Sequence, residues 1–301
     1  MAIEITDNSL MMVFLLEECD LSCPDCIRQD EPMDPGYKLS FQELRSCLAD
    51  CRSLRSIRRV HFSGGEPTLW QEGDLDLVDL LLEIAAVGFT PGFISNGSSF
   101  CQYERCYDFF QRYVEASNVP LRFYLSIDTF HGNFDPETGR ARSLDNVLRC
   151  MRDLPANAGR LLGQPEVVVI VSKDRASLLP DEMVAHYQSR GVRFTFCPMR
   201  CAGKARSMRE LCPEPGSNDP NDLGAYQRYA TGPRGDALDD DARRMCADYL
   251  ILIGDDYYVH AGTGDDRCEH QWRKVAKLGR LSDEIVLAFR RATKSGTVLM
   301  Y

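Results

Sequence analysis

Residues 11–26 read MMVFLLEECDLSCPDC: an apolar run, two glutamates, then three cysteines within eight residues. Met11 to Leu16 is short and continuously apolar, as expected of a strand buried on both faces. The loop that leaves it carries Cys19, Cys23 and Cys26 in CX3CX2C spacing. Three thiolates this close can converge on one metal centre and leave a fourth position open. A closed zinc site would want a fourth protein ligand nearby and pairs of CX2–4C spacing. A [4Fe–4S] cluster is usually held by four cysteines. Three would leave one iron able to bind a small molecule directly. Pro24, Asp20 and Asp25 make the loop polar, which argues against three unconnected core cysteines.

Outward from this stretch, strand-like and helix-like segments alternate. Ser40 and Glu43 form a capping box that opens a helix to about Arg52. Arg58 to Ser63 reads as a strand, Asp74 to Val87 as a helix stopped by Gly88, and Thr90 to Ser95 as the next strand. A helix follows from Phe100 to Ala116, then a strand from Leu121 to Asp128 and a helix from Ser143 to Leu154. Val167 to Ser172, a helix from Asp181 to Arg190, and Val192 to Cys197 complete about six strand–helix units. Apolar strands with helical crossovers imply an α/β fold with a parallel sheet covered by helices. The rhythm allows either an open doubly wound sheet or a partial barrel.

The composition changes after residue 206. Residues 1–206 read as the repeating core and 207–245, rich in proline, glycine and acidic residues, as an irregular linker. Residues 246–301 read as a small C-terminal region: a hairpin around Gly254, Asp255 and Asp256, then a closing helix from Asp283 to Ala292.

The whole chain has 301 residues and a formal net charge of −10, which argues against a nucleic-acid partner. Its longest apolar stretches are interrupted by acidic residues and its start resembles no export signal, so no membrane partner and a cytoplasmic location are expected. There are 13 cysteines. In a reducing compartment these are buried, catalytic or metal-bound rather than paired.

A second motif, Ser63-Gly64-Gly65-Glu66-Pro67, ends the second strand. Its glycines let a backbone approach a ligand closely, and Glu66 offers an acceptor for an ammonium group. It sits at the same sheet end as the cysteine triplet, the end that carries ligand sites in parallel α/β folds.

Together the triplet, the GGEP motif, Ser95-Asn96-Gly97 after the third strand and Ser126-Ile127-Asp128 after the fourth resemble the radical S-adenosylmethionine (radical SAM) enzymes, from about Met11 to Met199. The resemblance implies a partial (β/α)6 barrel. It implies a [4Fe–4S] cluster on Cys19, Cys23 and Cys26, with SAM chelating the fourth iron. It also implies that Gly64, Gly65 and Glu66 meet the methionine amino group, Glu66 being the candidate catalytic residue. Ser95, Asn96, Ser126, Asp128, Ser172 and Lys173 are candidates for the rest of SAM. Reductive cleavage of SAM would then yield a 5′-deoxyadenosyl radical that abstracts a hydrogen atom from the substrate. Two features depart from the family pattern. Asp25 stands where an aromatic residue usually precedes the third cysteine, and Val167 to Lys173 has no glycine.

Of the remaining cysteines, Cys47, Cys51, Cys106 and Cys150 lie on apolar helix stripes and read as core. Cys246 and Cys268 flank the hairpin, and the region resembles the twitch, or shortened SPASM, extension of radical SAM enzymes. That resemblance implies an auxiliary iron–sulfur cluster on Cys246 and Cys268, with Cys201, Cys212 or Cys197 as further ligands. A zinc site on Cys268 and His270, or a metal-free remnant, stays open. Arg200 and Arg206 could meet an anionic group. Of the histidines, His61 lies within the second strand and reads as a packed residue, with a place facing the barrel interior as the alternative, and His131 faces the expected site.

The substrate is expected to be a small molecule or short peptide, because only 18 residues precede Cys19. By resemblance the electron donor is a flavodoxin or ferredoxin. A non-enzymatic iron–sulfur or zinc protein with a redox or regulatory role is the alternative; it accounts for the thiols but not for GGEP.

Overall fold

The computed structural model describes residues 9–26, 35–54, 57–172, 179–198, 204, 207–208, 210, 250–262, 270–282 and 285. Six strands run parallel in the order β1 (Ser9–Phe14), β2 (Ile57–Ser63), β5 (Thr90–Ser95), β6 (Arg122–Ser126), β7 (Glu166–Val171) and β8 (Arg193–Pro198). The helices α1 (Phe41–Ser53), α2 (Leu77–Val87), α3 (Tyr103–Ala116), α4 (Arg142–Asp153), α5 (Ala158–Leu162) and α6 (Asp181–Gln188) make the crossovers. Strand and helix alternation thus gives an α/β fold, the partial (β/α)6 barrel expected from the sequence.

The helix ends follow their local chemistry. Ser40 Oγ accepts the Glu43 N–H at 3.2 Å, and the Glu43 carboxylate accepts the Ser40 N–H at 2.6 Å, completing the expected capping box. The second helix begins later than its sequence suggests. Asp76 accepts the Val78 N–H and Asp79 reaches back to the Asp76 N–H, so the cap falls at Asp76. The residues before it form a ribbon of β3 (Gln71–Glu72) and β4 (Leu75–Asp76). Likewise α3 begins at Tyr103, after a short 3-10 turn over Ser98–Cys101.

Side chains alternate across each strand. On the outer face Val60, Phe62, Phe93, Phe123, Leu125, Val167 and Val169 join one buried core with α1 to α6. Phe93 packs against Phe100, Phe109 and Phe123 with ring centroids 5.4–6.2 Å apart. Cys47, Cys51, Cys106 and Cys150 are all fully buried in this layer, as their helix stripes predict.

The C-terminal hairpin is continuous with the main sheet. Strand β9 (Leu250–Ile253) pairs in parallel with β1, and β10 (Asp256–Gly262) and β11 (His270–Lys277) follow antiparallel. The buried Asp50 carboxylate ties this edge to α1 by accepting the Tyr257 hydroxyl at 2.8 Å and the Gly279 N–H at 2.7 Å. Strand β11 is not evident in the sequence because HQWRKVAK is too basic to read as a buried run, which suits a sheet edge. Most of the 207–245 linker and of the Asp283 to Ala292 helix lies outside the described residues. Among the described residues, no helix is long and apolar enough to cross a membrane.

Candidate functional site

The loops after β1, β2, β5 and β6 meet at one end of the sheet, and backbone pairing brings the first two together. After β1, the Leu15 N–H donates to Ser63 O at 2.9 Å. The Gly65 N–H then donates to Leu16 O at 2.7 Å, and the Glu66 N–H to Glu18 O at 2.8 Å. The GGE segment thus runs against the segment leading into Cys19. A Cβ on Gly65 would lie 1.9 Å from Glu18 O, and one on Gly64, whose φ is +110°, would lie 2.9 Å from Leu16 O. The first close approach these glycines permit is to the chain's own backbone, which the sequence motif does not reveal. Their effect is to set the start of the cysteine loop.

Cys19, Cys23 and Cys26 are half-buried thiols. Burial first, then the charges of Asp25, Cys26 and Cys19, push the Cys23 thiol up to about 12. An uncompensated thiolate is therefore costly there, and a cationic centre would supply the compensation. The Asn96 amide Nδ2 donates to Cys19 Sγ at 3.8 Å and to Asp20 Oδ1 at 2.7 Å. Lys204 closes the loop from the far side of the sheet: its N–H donates to Cys26 O at 2.9 Å, and its ammonium to Ser22 Oγ at 3.1 Å. Among the described residues, no three or more His, Cys, Asp or Glu side chains are gathered as a single metal ion would need.

Glu66 is almost wholly buried. One carboxylate oxygen accepts the Thr68 N–H (3.1 Å), the Thr68 hydroxyl (2.6 Å) and the Ser95 hydroxyl (2.8 Å). The other accepts the Asn96 N–H at 2.7 Å. Burial raises its pKa, while these donors oppose the rise. Glu66, Ser95 and Asn96 therefore form one hydrogen-bonded unit with the cysteine loop. Asn133, which the sequence did not single out, extends it: its amide donates to Asn96 O at 2.7 Å and to Ser126 O.

Asp128 is fully buried and engaged on both oxygens. Oδ1 accepts the Phe130 and His131 N–H groups at 3.0 and 2.9 Å and lies 2.8 Å from His131 Nδ1, while Oδ2 accepts the Ile170 N–H at 3.1 Å. Burial alone would lower the His131 pKa; the Asp128 carboxylate outweighs it and raises it. Asp128 thus shapes the loop after β6 and joins it to β7. Asp25 lies buried on the cysteine loop, its carboxyl pushed up to about 6 by burial. Ser172 is buried at the end of β7. Lys173, Arg200, Cys201, Arg206, Cys212, Cys246 and Cys268 lie outside the described residues, as does the side chain of Cys197.

The Radical SAM superfamily model matches residues 13–162, from the first strand through α5. Residues 13–162 belong to the radical SAM superfamily. In sequence it is 33% identical over 86 residues to PqqA peptide cyclase of Rhodopseudomonas palustris and 30% identical over 86 residues to that of Bradyrhizobium diazoefficiens. Each match takes in 29% of this chain and only 22% and 21% of the respective relative, about a fifth of its length. In structure it resembles anSMEcpe bound to AdoMet and the Cp18Cys peptide, with a TM-score of 0.55 at 12% identity over 95% of this chain and 82% of that one. It also resembles Streptococcus suis SuiB bound to the precursor peptide SuiA, with a TM-score of 0.54 at 11% identity over 83% of this chain and 58% of that one. At these identities the structural likeness speaks to the fold.

A [4Fe–4S] cluster and SAM are the cofactors of this superfamily, and the residues present fit them. Three half-buried thiols share one loop, and the donor of Asn96 faces one of them. Four loops converge beside them at the strand ends.

Proposed function

We propose that this chain is a radical SAM enzyme whose cluster is held by Cys19, Cys23 and Cys26. The observation that carries the reading is the backbone clamp of Gly65 and Glu66 on Leu16 and Glu18, which joins the GGEP loop to the cysteine loop. When bound, the cluster supplies one electron to SAM, and SAM supplies the 5′-deoxyadenosyl group that takes a hydrogen atom from the substrate. Glu66 keeps an acceptor direction on its Asn96-bonded oxygen for the ammonium of SAM. Ser95 and Asn96 hold that carboxylate in place. Gly64 and Gly65 keep the neighbouring backbone close to the same point. Asn96 also steadies Cys19 through a weak N–H···S contact. Ser126 and Ser172 complete the proposed SAM contacts from the ends of β6 and β7, and Lys173 is proposed for the same role. Asp128 acts through the loop it shapes. The protein's part is to orient the reactants and exclude water.

The peptides bound by anSMEcpe and SuiB, and the name of the cyclases, support a peptide or small substrate for this chain as well. A cytoplasmic flavodoxin or ferredoxin is the proposed electron donor. Cys246 and Cys268, with Cys201 and Cys212, are proposed to hold an auxiliary cluster in a twitch-like region. One cluster would bring about four irons per chain and two about eight.

The test is 5′-deoxyadenosine release by anaerobically reconstituted protein given SAM and a strong reductant. Release is expected from the native chain and none after Cys19, Cys23 and Cys26 are all replaced by Ala. Release that persists in the triple variant overturns the assignment. Gly65→Ala drives a methyl group into Glu18 O and is expected to cost about 1–3 kcal/mol. Its iron content should fall with it, and full iron loading in a folded Gly65→Ala protein would show that the clamp does not set the loop.

A further inference from the structure

The inner face of the half-barrel, below the cysteine loop, is chemically unlike the outer one. On β2 the outward Val60 and Phe62 are apolar, while Arg59 and His61 point the other way. His61 lies in register with Met12 on β1 and Gly92 on β5, two residues before the end of β2, after which the loop that holds Glu66 begins.

Its ring sits directly over Gly92. A Cβ there would lie 2.5 Å from His61 Cδ2 and 2.6 Å from Nε2, so glycine at 92 is what makes room for it. The Tyr124 ring on β6 flanks it at 5.7 Å. His61 is 2% exposed, and its Nε2 has no hydrogen-bond partner among the described residues. Such a buried polar atom costs stability that an apolar ring of similar shape would avoid. Two cations, Arg59 and Arg122, act on it, and after burial they hold the imidazole down to about 3. Glu166, also on this face, is already engaged by Arg193 at 2.6 Å and by the Thr195 hydroxyl at 2.9 Å. Arg122 is half-buried and lies in register with Gly92, the residue beneath the His61 ring, which sets the two side chains on neighbouring strands of the inner face.

We propose that His61 Nε2 and the Arg122 guanidinium form an anion-binding subsite in the barrel interior that receives a carboxylate of the substrate. This deepens, and rests on, the reading of the chain as a radical SAM enzyme. An incoming carboxylate gives the stranded imidazole a partner and offsets the positive field around it. The same chemistry is offered by an acidic peptide side chain and by a small organic acid.

The experiment follows the His61 imidazole by NMR in the reconstituted protein labelled on histidine. The chain has five histidines, and His61 is identified by the signal lost in His61→Gln. Two carboxylate probes are titrated: succinate, and the capped peptide acetyl-Gly-Glu-Gly-amide. Acetyl-Gly-Gln-Gly-amide is the uncharged control. A saturable shift of His61 with either carboxylate supports the subsite, and the stronger of the two names the source. Arg122→Gln should weaken that response about tenfold or more, as loss of one charge-assisted hydrogen bond implies. Gly92→Ala, which displaces the ring, should abolish it. No shift with either probe, an equal shift with the glutamine peptide, or an unchanged response in a folded Arg122→Gln protein overturns the proposal. Release of 5′-deoxyadenosine is measured on the same native preparation. A carboxylate response without release leaves the subsite standing and breaks the SAM-cleaving reading; release without a response does the reverse.

Discussion

The two faces of one sheet follow different rules. Outward, Phe62, Phe93, Phe123 and Val167 interlock with the helices in an apolar layer closed to water. Inward, beneath the loops, Arg59, His61, Glu166 and Thr195 are buried polar groups of the same sheet. Next to β9 the inner face turns apolar again, with Met12, Phe14, Ile251 and Ile253 in a small cluster of their own. The outer face stabilises the fold through burial. The polar part of the inner face costs stability at His61 and regains some through the Glu166 network. Residues kept at a cost are better explained by a ligand than by packing.

This contrast can be broken at either face. The largest effect is expected outside. Phe93→Ala opens a cavity among Phe100, Phe109 and Phe123 and should cost about 3–5 kcal/mol in denaturant unfolding. A loss under 1 kcal/mol would mean that the aromatic layer is loosely packed, against the account. On the inner face, Glu166→Gln keeps the shape but removes the charge facing Arg193, which is itself one-third exposed. A loss of about 1–2 kcal/mol is expected, below that of Phe93→Ala. Parity between the two would remove the contrast.

The third prediction concerns pH. His61 stays neutral in the fold down to about 3, whereas in the unfolded chain it takes up a proton near its ordinary 6.5. The unfolded state therefore binds the extra proton as the medium becomes acidic. The contribution of neutral His61 is fully present above pH 6.5 and is lost as pH falls toward 3. Between about pH 6 and 4 the slope is about 1.4 kcal/mol per pH unit, and His61→Gln should flatten the stability profile by that amount. A parallel profile in the variant would show that the imidazole charges freely inside the barrel. The smallest effect is Thr195→Val, which removes one hydroxyl from Glu166 and should cost about 1 kcal/mol.

The outer layer was legible in the sequence because burial writes itself as apolar runs with helical or strand period. Thr90 to Ser95 appears with the expected bounds, and the cysteines of the helix stripes are buried where the stripes put them. The cysteine triplet and GGEP were legible as motifs, but their joint action was not. A pattern of residue types cannot show that Gly65 lies against the backbone of Glu18, 47 residues earlier, because that contact is made by main-chain atoms common to every residue. Asn133 was missed for a related reason: its amide bonds to the carbonyls of Asn96 and Ser126 on neighbouring strand ends. The inner face was the least legible part. Polar residues alternating with apolar ones read the same whether they face solvent or a barrel interior. Only the curl of the sheet turns Arg59 and His61 inward.

The most direct measurement of the central claim is the electron paramagnetic resonance spectrum of the reduced, reconstituted protein with and without SAM. If Cys19, Cys23 and Cys26 leave one iron open at the loops held by Glu66 and Asn96, adding SAM changes the cluster signal. A cluster signal that SAM leaves unchanged, or a protein that binds zinc and no iron, would contradict the account.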